Sequence, residues 1–182
     1  LVALLYEGKL TLIKSIGISD VEILKNINRL YLNNEGFDLD PTYSKGIFYK
    51  EIPKPFYKFD LMPQSVDIIK ADVANLPIDS NSIKSIIFDP PFMFGHHGKT
   101  RDYKMTKRFT MFNKFEDLEI MYKGALREFY RILKSKGFVF FKCNDYTDSF
   151  TTMTHCLVYN WALEIGFYAK DIFIKTVNSG RI

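Results

Sequence analysis

The sequence predicts an α/β fold, a mostly parallel sheet covered by helices on both faces. Short β-prone runs alternate with segments of helical period from Gly36 onward, which is the order of βαβ units. One of those runs, Ile86-Ile-Phe88, is wholly apolar, as a strand buried on both faces requires. A chain of 182 residues suits one domain, and 47% hydrophobic with 25% charged residues excludes disordered and fibrous architectures.

The first fourteen residues are apolar and β-prone, with Leu10, Leu12 and Ile13 marking a short strand. Ser19-Asp20 reads as a helix cap, followed by Val21, Leu24, Ile27, Leu30 and Tyr31 at helical spacing until Asn33-Asn-Glu-Gly36 stops the helix. Gly36 to Asp40 is a short strand ending in acids, and Pro41 to Gly46 is a turn leading into a brief helical stretch that Pro53 terminates. Further strands are expected at Lys58–Leu61, Val66–Ala71 and Ile83–Phe88. Leu118, Met121, Tyr122, Ala125, Phe129, Ile132 and Leu133 then repeat with helical period, with Gly137 as the stop. Phe138 to Lys142 is a fifth strand. Ser149 caps a helix through Met153, Leu157, Trp161 and Ile165 that Gly166 ends, and Phe167 to Val177 is a sixth strand. The usual seventh strand is expected from the N-terminal segment or from residues beyond Ile182. Residues 1–35 read as an N-terminal extension, 36–177 as the core and 95–114 as a basic loop, all within one domain.

No apolar run reaches the length of a bilayer, so no membrane partner is expected. Cys143 and Cys156 lie thirteen apart without a C-x-x-C pairing, which argues against a zinc site or disulfide framework and for a reducing, cytoplasmic compartment. No basic-then-apolar leader is present, and an opening on Leu1 rather than methionine is expected of a trimmed chain. The net charge is +4, and its distribution matters more than its size. Lys99, Arg101, Lys104, Lys107, Arg108 and Lys114 face one acid, Asp102, so this stretch carries +5 and the rest of the chain −1. Such concentration suits a polyanion. Its cations interleave with Tyr103, Phe109 and Phe112, a mixture suited to phosphates and exposed bases, while Gly95 and Gly98 bracket His96-His97. Two adjacent histidines without a carboxylate or cysteine partner make a poor metal site, and no metal is expected.

In a parallel sheet the ligand site lies beyond the carboxyl ends of the strands. Asp40, Asp60, Asp72, Asp89 and Asp145 all stand at such positions. The sharpest feature is Asp89-Pro-Pro-Phe92 directly after the buried strand, where two prolines fix φ at successive residues and so fix where the flanking groups point. His155 reads as a packing residue, Trp161 and Phe129 as core, and Cys143 as unmarked for nucleophilic chemistry.

Asp89-Pro-Pro-Phe92 resembles the catalytic tetrapeptide (D/N/S-P-P-Y/F/W) of S-adenosylmethionine-dependent methyltransferases that modify exocyclic amino groups of nucleobases, notably the DNA adenine-N6 and cytosine-N4 enzymes. The ordered pattern spans Phe37 to Val177. Asp40-Pro-Thr-Tyr-Ser-Lys-Gly46 is similar in length and place to that family's cofactor loop, D-P-F-x-G-x-G, with Thr42 for the aromatic, Ser44 for a glycine, and Gly46 retained. The resemblance implies a Rossmann-like class I methyltransferase fold and S-adenosylmethionine as cofactor. It implies that Asp60 accepts from ribose hydroxyls, that Asp72 accepts from the adenine amino group with Leu61 and Val73 against the ring, and that Asp40, Thr42 and Gly46 lie toward the methionine end. Asp89 and the Pro90 carbonyl would accept the amino hydrogens of a flipped-out base on which Phe92 stacks. An acidic rim suits a sulfonium and an ammonium, whereas a pyrophosphate cofactor would prefer a G-x-G-x-x-G turn, which is lacking. DNA, adenine N6 foremost, is the implied substrate and RNA the alternative, in a compact enzyme similar to small bacterial or phage-borne ones. Ser44 sustains a third reading, a non-catalytic nucleic-acid-binding relative.

Overall fold

The computed structural model describes residues 2–6, 9–92, 112–147 and 151–176. The central sheet holds β4 (Leu39–Asp40), β5 (Tyr57–Asp60), β6 (Ile69–Lys70), β7 (Ile83–Phe88) and β8 (Leu133–Phe141). Their spatial order is β6-β5-β4-β7-β8, and every neighbouring pair is parallel. An α/β architecture with a parallel sheet is therefore observed. The chain starts the sheet in the middle, builds outward to β6, then returns to lay β7 on the other side of β4.

Period-two alternation along β7 explains why its closing Ile86-Ile-Phe88 is wholly apolar. Ile86 and Phe88 join Leu39, Phe59 and, from helix α2 (Phe115–Ile132), Ala125, Phe129 and Ile132 in one core cluster. Ile87, between them, joins a second cluster with Ile23, Leu24 and Ile27 of α1 (Asp20–Tyr31), with Phe138 and Phe140 of β8 against it. Both sides of this strand are thus dry, and each fully buried large side chain contributes about 1.5–3 kcal/mol. A third cluster joins Leu118, Tyr122 and Leu126 of α2 to Val158 and Trp161 of α3 (Thr154–Ile165). Ser19 caps α1 as its sequence suggests, its hydroxyl accepting from the Glu22 amide at 3.2 Å. Gly166 closes α3 in a left-handed conformation.

Several expectations need correction. No helix forms between Pro41 and Pro53; the segment is a run of turns. Its amides are taken by Phe59, Tyr43 and Gly46 carbonyls and by the Asp40 side chain, which leaves no helical ladder to propagate. Gly137 does not stop α2, which ends at Ile132; Lys136 adopts a positive φ of 66°. Gly137 instead allows a close approach, since a Cβ there would meet the Lys84 carbonyl at 3.0 Å and the Lys134 carbonyl at 2.9 Å. The expected sixth strand reduces to β11 (Ile174–Lys175), which pairs in parallel with β3 (Ile16–Gly17) outside the central sheet. Tyr168 and Ile172 are exposed there, and the segment buries only Phe167 and Phe173 in part against the core, too little for an extended strand. Nor does the N-terminus supply a seventh strand: β1 (Val2–Tyr6) and β2 (Lys9–Ile13) form a separate antiparallel pair. A second small pair, β9 (Tyr146–Thr147) and β10 (Thr151–Thr152), stands between β8 and α3. Among the described residues, no helix is long and apolar enough to cross a membrane.

Candidate functional site

Strand order reverses between β4 and β7, and the carboxyl ends of the strands at such a reversal are where a parallel sheet places its ligand site. Asp40 ends β4, and Asp89 follows β7 directly. The two ends are bonded together. The Asp89 amide donates to the Thr42 hydroxyl at 3.1 Å, and that hydroxyl donates to Asp40 Oδ1 at 3.2 Å. The Thr42 amide reaches the same oxygen at 2.8 Å, and the Tyr49 hydroxyl donates to Oδ2 at 2.6 Å. Asp40 keeps only 3% exposure, and that burial pushes its carboxyl up to about 7 against the pull of the Tyr49 and Thr42 hydrogen bonds. Burial and the facing carboxylate also drive the Tyr49 hydroxyl far above its ordinary value. Tyr43 stacks on Tyr49 with centroids 5.3 Å apart. Gly46 lies against the Tyr43 ring, at a φ of 62° and with no room for a Cβ.

The Asp89 side chain retains 28% exposure, so the double-proline corner is not packed inside the molecule. Its carboxylate sits 3.1 Å from Lys142 Nζ, at the carboxyl end of β8. Burial raises the Asp89 carboxyl above the usual range, and the Lys142 ammonium opposes that rise. Lys142 also reaches Asp20 at 3.3 Å and lies 4.8 Å from the centre of the Phe48 ring, while Asp20 pairs with Lys175 at 2.6 Å. Asp20 and Phe48 help line a cavity of about 270 Å³. On its other flank the corner is pinned by Tyr122 of α2, whose hydroxyl donates to the Pro91 carbonyl at 2.9 Å. Pro90 is buried, and Pro91 and Phe92 are half-buried.

The remaining acids of the rim stand differently. Asp60 is half-buried at the end of β5, each oxygen accepting one backbone amide: Ser44 at 2.8 Å and Met62 at 2.7 Å. Asp72 is exposed and accepts from the Ala74 amide at 2.9 Å. Val73 belongs to the core, while Leu61 is 53% exposed. The structure thus joins Asp40, Thr42 and Asp89 in one bonded chain, and ties Asp60 to the same loop through Ser44. Asp40 and the Gly46 amide, which donates to the Tyr43 carbonyl at 2.8 Å, are committed inside the protein.

Lys99, Arg101, Lys104, Lys107 and Arg108 lie outside the described residues, together with Gly95, His96, His97, Gly98, Tyr103 and Phe109. Phe112 is described, and it packs against the cluster between α2 and α3 rather than standing free as a stacking platform. His155 is not a packing residue either. Its side chain is exposed and its Nδ1 lies 2.8 Å from Asp145 Oδ1, on the side of the first turn of α3 away from the buried Thr154. Burial pushes the Cys143 thiol up to about 12, so it is a neutral packing group. Among the described residues, no group of three His, Cys, Asp or Glu side chains could hold a metal ion.

Sequence reasoning missed Lys142, Tyr49 and Tyr122. A lysine immediately after four residues, Phe138-Val-Phe-Phe141, of a strand beside β7 was a usable signal. The two tyrosines carried none, because their partners are fixed only by the tertiary fold. No family model, curated protein or solved structure matches this chain.

Proposed function

We propose that this chain is an S-adenosylmethionine-dependent methyltransferase of an exocyclic amino group of a base in DNA, adenine N6 foremost, on a Rossmann-like class I scaffold with helices on both faces. The observation that carries the reading is the placement of Asp89-Pro-Pro-Phe92: an accessible carboxylate on a doubly pinned corner, at the reversal point of a parallel sheet, bonded through Thr42 to the end of β4. Ser44 supports it further. It stands where the resembled loop has a glycine, and it takes a φ of 50°, the left-handed conformation that glycine adopts without strain. The loop therefore keeps the backbone shape of the glycine it lacks, which weighs against a degenerate, non-catalytic relative.

The donor set fits the cofactor in part. Asp60 has an unshared lone pair on each oxygen for ribose hydroxyls, and exposed Asp72 has acceptor capacity for an adenine amino group. Asp40, enclosed and with both oxygens bonded, serves as the support beneath Thr42. Bound, S-adenosylmethionine supplies an electrophilic methyl group whose sulfur departs as a neutral thioether with the bonding electron pair. The protein's task is to make the aromatic amine a nucleophile. Asp89 accepts an amino hydrogen, localises the nitrogen lone pair out of the ring, and takes up the proton released once the N–C bond has formed. Phe92 offers a ring for the base, and base stacking is worth about 1–3 kcal/mol.

Incubation with methyl-labelled S-adenosylmethionine and either duplex DNA or transfer RNA tests the reading; label in the DNA adenine is expected, and label in RNA alone would replace DNA by RNA as substrate. Absence of cofactor binding by calorimetry at millimolar concentration would remove the enzyme reading. Asp60→Ala should raise the cofactor dissociation constant by about 5- to 30-fold, the loss of one or two hydrogen bonds at about 1 kcal/mol each. A combined Lys104→Gln, Lys107→Gln, Arg108→Gln variant should weaken DNA binding and lower its salt slope by about three, read from binding isotherms at several salt concentrations.

A further inference from the structure

We infer that Lys142 is a positioning residue of this site: its ammonium, shared between Asp89 and Asp20, holds the Asp89 carboxylate in place and in its accepting form, so that α1 and β11 act on the site through it. The inference rests on the methyltransferase reading for its consequence in turnover, but the ion pairs stand without it. Lys142 Nζ lies 3.1 Å from Asp89 Oδ1 and 3.3 Å from Asp20 Oδ1, and Lys175 Nζ lies 2.6 Å from Asp20 Oδ2. Four charges of alternating sign thus run from β11 through the first residue of α1 to the end of β8 and the corner after β7. The Lys142 side chain is 30% exposed and covers the Phe48 ring, which narrows where the ammonium can go.

The need for such a cation follows from what surrounds Asp89. A carboxylate that accepts an amino hydrogen must be ionised, and burial works against ionisation. Asp20 and the enclosed Asp40 add like charge from α1 and β4, and the Tyr49 and Tyr122 hydroxyls face it from the β4 loop and α2. Among the described residues, the opposing charges that act on Asp89 are those of Lys142, 3.1 Å away, and more weakly Lys175. When the methyl group forms its bond to nitrogen, the surplus N–H proton passes to the Asp89 carboxylate and from there to water. Lys142, already tripled in donors and bonded on both sides, keeps its own protons throughout.

Two substitutions have opposite signs. Lys142→Met removes the cation, so the acid limb of the single-turnover rate should move up by about one pH unit or more, with cofactor affinity unchanged, and Lys142→Arg should restore the wild-type profile. Asp20→Asn removes like charge at constant shape, so the limb should move down. Titration of the Asp89 carboxyl carbon by NMR reads the same two shifts with no turnover, so an inactive wild type would overturn the methyltransferase reading while leaving this one testable. Circular dichroism separates unfolding from either effect, and Asp20→Asn carries the test if Lys142→Met fails to fold. Unmoved carboxyl titrations, or shifts of the same sign in both variants, would overturn the inference.

Discussion

Asp89→Ala is expected to lower methyl transfer by at least about 100-fold, the usual cost of removing a preorganised polar group from a reacting centre, while cofactor affinity stays within about twofold. The division follows from the geometry. The Asp89 carboxylate touches Lys142 and faces outward from the corner, whereas the bond that ties the corner to β4 comes from the Asp89 backbone amide to Thr42. Alanine keeps that amide and the two prolines, so the corner holds its shape. Asp60 and Asp72, the residues with spare acceptor capacity, lie on β5 and beyond β6, apart from the change. Lys142 loses one partner but remains bonded to Asp20 and open to water, which keeps the structural cost small. Asp89→Asn sharpens the test, since it preserves shape and removes only the negative charge and the ability to take a proton. Single-turnover transfer into DNA, set beside calorimetric titration with S-adenosylmethionine, measures both quantities. Transfer at the wild-type rate in either variant would end the assigned role.

The corner was legible because its signal is local. Two prolines after the wholly apolar Ile86-Ile-Phe88 fix a direction, and a strand whose end is apolar on both faces has to be central in a parallel sheet. Ser19 and Gly166 were legible for the same reason, as caps whose chemistry lies within a few residues. What failed was non-local. The segment from Pro41 to Pro53 has helix-compatible residues, but the Phe59 carbonyl captures the Tyr43 amide and the Asp60 side chain the Ser44 amide, and both competitors lie sixteen residues away in the chain. His155 shows the same limit: its place on a helix suggests packing, yet its side of the first turn of α3 faces water and Asp145. Asp40 itself was placed correctly at a strand end and given an outward role, while the structure turns it inward, because a second tyrosine nine residues on supplies a buried donor. Position along the sheet was readable; the direction of each side chain depended on partners from other elements.

That inward turn has a consequence for stability. Asp40 titrates at about 7 in the folded chain against 3.8 as its ordinary value. The folded state therefore binds this proton more tightly than the unfolded one, and the sign is fixed: the stabilisation is fully present below about pH 4 and is lost as pH rises through 7. At 1.36 kcal/mol per unit, the loss across that window is up to about 4 kcal/mol, a large part of a small domain's total. Carboxylates held low, such as Asp20 and Glu128, change stability in the opposite direction and at lower pH, so the window above pH 4 belongs to the raised carboxyls, Asp40 and, with the same sign, Asp89. Asp40→Asn should remove Asp40's share and leave a shallower slope from Asp89. Its amide oxygen still accepts from Thr42, and its amide nitrogen can donate to Tyr49, so the loop stays folded with nothing left to titrate. Asp40→Ala should instead destabilise at every pH, because the Tyr49 hydroxyl and the Thr42 amide lose their acceptor, at about 1–3 kcal/mol for each buried orphan. Urea unfolding at pH 5 and pH 8 distinguishes these cases, and an asparagine variant as pH-sensitive as the wild type would show that the titrating group lies elsewhere. Since Asp40 and Asp89 repel, the same proton links stability to chemistry: each uptake at Asp40 relieves Asp89, one bonded threonine away, and favours its ionised, accepting form.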